Sequence, residues 1–167
     1  RGFNMGMKRS VFDAVGGYDI HFKTGEDIDL SIRIQQAGYR VGLIPEAVVW
    51  HKRRSTLSQF FKQVRRFGAA RWALAQRHPG QLKLTHLFPV FLTLGTLFSI
   101  LLWAIGAIPL HVVFIGYFSV PSVLAGAQYR SPRIGLLAVA STAVMMGGYA
   151  YGFLEALLGG GLHTKRG

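Results

Sequence analysis

Hydrophobic and polar positions divide the chain into three stretches with different periods. In residues 1–54 short apolar runs alternate with turn signals. Residues 4–7 read as extended. Val11, Phe12 and Val15 fall on one face of a short helix over 8–15, which Gly16-Gly17 ends. Ile28, Leu30 and Ile32 predict an amphipathic helix over 27–37, closed by Gly38. Residues 39–44 then alternate like a strand and stop at Pro45, and residues 47–50 form a second β-like run. The expectation for 1–54 is part of an α/β domain.

The second stretch, residues 55–80, carries one helical pattern over 56–78. Leu57, Phe60, Phe61, Val64, Phe67, Ala70 and Leu74 recur at helical spacing, and Lys62, Arg65, Arg66 and Arg71 fill much of the remaining surface. Ser55 or Thr56 can cap its start, and His78-Pro79-Gly80 ends it. Apolar residues on one side and arginines on the other predict an amphipathic helix lying in a membrane interface.

The third stretch, residues 87–158, is apolar enough for about three membrane crossings, over 87–107, 108–127 and 134–158. Pro121 is expected to bend or break the second.

Charge sharpens this division. The 167 residues carry a net charge of +12, yet six of the seven acids lie before Ala47 and only Glu155 follows. Nine Lys or Arg and no acid fall between Lys52 and Lys83. Such a block suits nucleic acid or an anionic membrane surface. Phe60, Phe61, Phe67 and Trp72 supply stacking faces for bases. The apolar spans that follow favour membrane lipids and argue against nucleic acid. The positive-inside rule places the basic block and the loop bearing Arg130 and Arg133 on the cytoplasmic side, and a third span then puts residues 163–167 on the outer side. There is no Cys, which excludes disulfides and thiolate metal sites. The chain begins at Arg1, without an initiator Met or signal peptide and inside what reads as a motif. The expectation is a fragment whose N-terminal part is missing.

The candidate chemistry lies in Gly25-Glu26-Asp27-Ile28-Asp29-Leu30-Ser31-Ile32-Arg33, which holds three of the seven acids. Carboxylates in the first turn of a helix complement its dipole. They also suit proton transfer, with one carboxylate taking the proton and a neighbour orienting it.

The ordered series around this cluster is more specific than the cluster itself. Gly2-Phe3-Asn4 leads into a short helix ending Gly16-Gly17-Tyr18-Asp19. The acidic cluster follows, then Ala37-Gly38-Tyr39-Arg40, Ile44-Pro45-Glu46-Ala47, Val48-Val49-Trp50-His51 and Gln63-Val64-Arg65-Arg66-Phe67 ahead of the spans. This resembles the C-terminal half of the catalytic domain of family 2 glycosyltransferases, inverting enzymes of the GT-A fold that are often membrane-anchored in bacteria. The resemblance implies a transfer from a nucleotide-diphosphate sugar to a lipid-linked or polysaccharide acceptor at the cytoplasmic face of the inner membrane. It implies that Asp27 is the general base, with Glu26 beside it in the acceptor site. Asn4 falls where the family has a segment lining the sugar site, and Asp29 either orients the site or only caps the helix.

Gln63, Arg66 and Phe67 resemble a Gln-x-x-Arg-Trp motif with Phe in place of Trp, so that Gln63 and Arg66 would meet the diphosphate or acceptor chain. His51, 24 residues beyond Asp27, is implied as a ligand of a divalent metal, Mg²⁺ or Mn²⁺. Most of that metal's site is expected in the missing half, because the family's separate Asp-x-Asp motif is absent and the piece alone should be inactive. A non-enzymatic membrane-anchored subunit with a basic docking helix accounts equally well for residues 56–158, but gives no reason for the ordered motifs before them.

Overall fold

The computed structural model describes residues 2–52, 54–106 and 111–159. After a 3-10 turn at Gly2–Asn4, the described residues form six helices. These are α1 (Arg9–Ala14), α2 (Glu26–Gln36), α3 (Leu57–Arg77), α4 (Leu84–Ala104), α5 (His111–Gln128) and α6 (Pro132–Leu157). The local signals explain where they stop and start. Gly16-Gly17 follows α1 and Gly38 follows α2, all with positive φ. The Thr56 hydroxyl caps α3 by accepting the Gln59 N–H at 3.2 Å.

The expected α/β unit is not formed. Among the described residues there is no strand, and the fold is helical throughout. A strand is held by the hydrogen-bond ladder it shares with a neighbour. Residues 39–50 have the alternation but no second strand alongside. Their backbone bonds include local turns, from the Ala47 N–H to the Ile44 carbonyl at 3.2 Å and from the Val48 N–H to the Glu46 carbonyl at 2.9 Å. Leu43 is 89% and Trp50 100% exposed. Period alone therefore misassigned this segment.

The helix α3 is packed on two opposite sides. Phe61, Val64, Arg65, Gly68 and Trp72 share the side that meets α6. There Phe61 and Val64 lie on Gly148, Gly68 and Gly152 bring the two backbones together, and Trp72 meets Phe153 edge-on with ring centres 5.7 Å apart. Gly152 is required at that contact, because a Cβ there would sit 1.9 Å from the Arg65 carbonyl oxygen. Close backbone approach through a Gly-x-x-x-Gly pair, here Gly148 and Gly152, is a recurrent way for apolar helices to associate. At the edge of the contact the Arg65 guanidinium donates to both carboxylate oxygens of Glu155, at 2.9 and 2.5 Å. It also lies 5.2 Å from the centre of the Tyr151 ring.

Three helices, α4, α5 and α6, are long and apolar enough to cross a membrane. The helix α5 runs unbroken through Pro121. It pairs with α6 where Gly126 and Gly135 let the backbones approach. Three crossings alternating at equal depth would set the second half of α6 beside the second half of α4. Instead Ala150 and Phe153 of α6 pack with Val90, near the start of α4. Glu155 likewise sits on α3 rather than on the face away from it. The sequence expectation placed the end of the third span on the side opposite the basic helix. Residues 163–167, on which that expectation rested, lie outside the described residues, as do 107–110.

Candidate functional site

The acidic cluster forms the first turn of α2, and its three carboxylates have different fates. Gly25 precedes it with φ 87°, a left-handed conformation suited to glycine. A Cβ there would also press to 3.3 Å on Leu74 and 3.5 Å on Ala70 of α3. The entry to α2 thus leaves little room for a side chain beside α3. Successive residues are separated by 100° about a helix axis, so Asp27 and Asp29 project to opposite sides.

Asp29 is directed into the protein and is fully buried. Its Oδ2 accepts from Arg33 Nε at 2.9 Å, one turn along α2. Its Oδ1 meets His78 Nε2 at 2.7 Å and Arg77 Nε at 3.2 Å, both at the end of α3. Arg33 also donates to the carbonyls of Val15 and, at 2.6 Å, Gly17, which tie in the end of α1. Arg77 reaches the loop ahead of the cluster, with Nη2 3.0 Å from Asp19 and its guanidinium carbon 5.8 Å from the centre of the Phe22 ring. Asp19 is held below its ordinary carboxylate value, first by the backbone N–H of His21, against a smaller opposing effect of burial, and then by the His21 side chain and Arg77. Asp29, expected either to orient the site or only to cap the helix, is thus engaged inside the protein by Arg33, Arg77 and His78.

Asp27 is half-buried and turned the other way. Its Oδ1 accepts the Ile28 N–H at 2.9 Å and its Oδ2 the Gly2 N–H at 3.0 Å, so both oxygens are oriented by backbone. Each retains a lone pair for a further donor. Glu26 is half-buried beside it. Asn4 spends its amide on the chain itself, donating to the Ala47 carbonyl at 2.8 Å, which ties the 2–4 turn to the 44–48 turn. Gln63 and Arg66 fall on the stripe of α3 that continues through Ala70 and Leu74 to Arg77, the side that meets α2. Gln63 is half-buried and Arg66 exposed.

His51 is exposed. Among the described residues no three His, Asp or Glu side chains gather as a metal site. The described residues therefore form no metal centre by themselves. The sequence reading missed His78 and Arg77 as partners of the cluster. Both were legible only as a helix end, because nothing local links them to a carboxylate 49 residues away.

A helix bearing an acidic first turn is thus pinned to a second helix, which leads into membrane-length helices. The chain belongs to glycosyl transferase family group 2, whose pattern matches residues 2–153. It is similar to the succinoglycan biosynthesis protein ExoA of Rhizobium meliloti (strain 1021), 30% identical over 91% of this chain and 46% of that protein. It is also similar to the pre-mycofactocin glycosyltransferase of Mycobacterium tuberculosis, 32% identical over 59% of this chain and 20% of that one. A third relative is the O-antigen chain rhamnosyltransferase WbaN of Salmonella anatum, 39% identical over 34% of this chain and 18% of that protein. The chain spans less than half the length of these curated relatives. No solved structure matches it.

Proposed function

We propose that the intact protein transfers a sugar from a nucleotide-diphosphate sugar to a lipid-linked or polysaccharide acceptor, with inversion, at the cytoplasmic face of a bacterial inner membrane. Asp27 is the base. The observation that carries this reading is the division of labour in the first turn of α2. Asp29 is consumed by the protein, whereas Asp27 keeps an oriented, half-open carboxylate. A cluster serving only as a helix start has no need of that difference.

In the reaction an acceptor hydroxyl donates to Asp27. As its oxygen bonds to the anomeric carbon, the bond from that carbon to the diphosphate oxygen breaks. The nucleoside diphosphate leaves with the electron pair, and the hydroxyl proton passes to the Asp27 carboxylate. Glu26 borders the acceptor. Arg66 and Gln63, on the stripe of α3 facing α2, meet the diphosphate or the acceptor chain, as a guanidinium suits phosphate oxygens. A divalent metal on the diphosphate belongs to the proposal, with His51 as one ligand and the rest of its site held by the remainder of the intact protein.

The test is Asp27→Asn in the intact protein. Transfer should fall by about 10²–10⁴-fold, the usual contribution of a positioned base, while binding of the nucleotide sugar stays near wild type. Transfer within a few-fold of wild type would remove Asp27 from the base role.

A further inference from the structure

We propose that Arg77 and His78, the last residue of α3 and the one after it, are positioning residues for Asp27. They grip both sides of the segment that carries it. This rests on the reading of Asp27 as base and adds residues to it that the acidic motif does not contain.

Two independent contacts carry the inference. Behind Asp27, His78 Nε2 and Arg77 Nε close on the buried Oδ1 of Asp29, two residues along the same helix. Ahead of it, the other arm of Arg77 reaches Asp19, whose carboxylate also accepts the His21 N–H at 2.9 Å and so shapes the loop entering α2. Between these two anchors the backbone passes Gly25, where an added Cβ would lie 3.3 Å from Leu74 of α3. Asp27 has no such tie to α3. Its direction follows from where the loop and Asp29 are fixed.

The fixture is itself immobilised, because the opposite face of α3 is seated on α6 through Gly68, Gly148 and Gly152. A buried carboxylate held by two arginines and a histidine is a poor device for stability, since apolar side chains of equal volume often serve as well or better. It is a good device for holding one register, because each bond fixes a direction as well as a distance. Positioning matters at this scale: a displacement of about 1 Å at a reacting group can cost about 100-fold in rate.

The experiment compares His78 variants in the intact, membrane-embedded protein, with Asp27→Asn as reference. His78→Gln keeps a side-chain N–H at the reach of Nε2, whereas His78→Asn and His78→Leu do not. The expected result is that Leu and Asn lower kcat by about 10- to 100-fold, with the KM for the nucleotide sugar within about twofold. Gln should return kcat to within about threefold of wild type.

Wild-type kcat in His78→Leu, equal impairment of Gln and Asn, or a loss confined to KM would each overturn the proposal. If His78→Leu does not fold, the Gln and Asn pair still decides, as both are small and polar. Activity retained in Asp27→Asn would sink the base assignment instead. A dead Asp27→Asn beside a fully active His78→Leu would sink only the positioning role.

Discussion

At the scale of single residues, the same side-chain chemistry is put to two uses within one helical turn. Asp27 and Asp29 differ in their neighbours, and the neighbours follow from the 200° between their directions. Replacing Asp29 by Asn leaves Arg33 and Arg77 facing a neutral group beside a buried histidine. Breaking a buried ion cluster in this way typically costs about 3–5 kcal/mol, so Asp29→Asn should lower the thermal unfolding midpoint clearly. Asp27→Asn should leave it nearly unchanged, since that carboxylate is only half-buried and its partners are backbone N–H groups.

Acid tests a neighbouring contact. The carboxyl of Asp19 is depressed in the folded protein, chiefly by the His21 N–H. A depressed carboxylate contributes stability that is present above its unfolded value and lost as pH falls through the folded one. Hydrogen-exchange protection of residues 18–25 should therefore hold at mildly acidic pH and fall below the ordinary aspartate range. Asp19→Asn should already show the loosened loop at neutral pH.

At the scale of elements, the helices were legible because each combines a clear period with explicit ends. The buried residues of α2 include Leu30 and Ile32, as the pattern predicts, although Ile28 is exposed. In α3 the pattern gave the helix but not its sides: Arg65 shares the side facing α6 with Phe61 and Val64, while Ala70 and Leu74 lie on the opposite side with Arg66. Leu57 and Phe67 are exposed, whereas Ala69 is buried and Gly68 is buried against a partner helix about 80 residues on.

That partnership makes a sharp prediction. Gly152→Ala places a methyl group against the Arg65 carbonyl and must spread α3 from α6, an overpacking expected to cost about 1–3 kcal/mol or more. At Gly147 nothing lies within 4 Å of the added methyl, so Gly147→Ala should be tolerated. Because the chain has no cysteine, the pair Phe61→Cys and Tyr151→Cys provides a clean readout. These rings lie 6.3 Å apart. A short bifunctional thiol reagent should link them in the parent protein and less so with Gly152→Ala.

At the scale of the whole molecule, the ion pair between Arg65 and Glu155 joins positions 90 residues apart. It sets the end of α6 beside the basic helix. A cysteine at Leu158 and one at Ser58 should therefore react with an impermeant thiol reagent from the same side of sealed vesicles. Reaction from opposite sides would contradict the packing found. Reversing one charge, Arg65→Glu, should weaken the α3–α6 contact, and adding Glu155→Arg should recover part of the loss.

The sequence by itself determined the helices, their ends, the membrane-length segments and the acidic motif, because each is written in neighbouring residues through period, capping and charge. It determined the resemblance to the family for the same reason, since that lay in an ordered series of short motifs. Only the tertiary structure decided that residues 39–50 form no strand, that α3 is clasped by α6, and that Asp29 belongs to the interior while Asp27 does not. Each of those outcomes depends on a partner far along the chain. A strand needs a neighbour to share its ladder, close-packed glycines need a facing backbone, and a buried carboxylate needs the partners that His78, Arg77 and Arg33 bring to it.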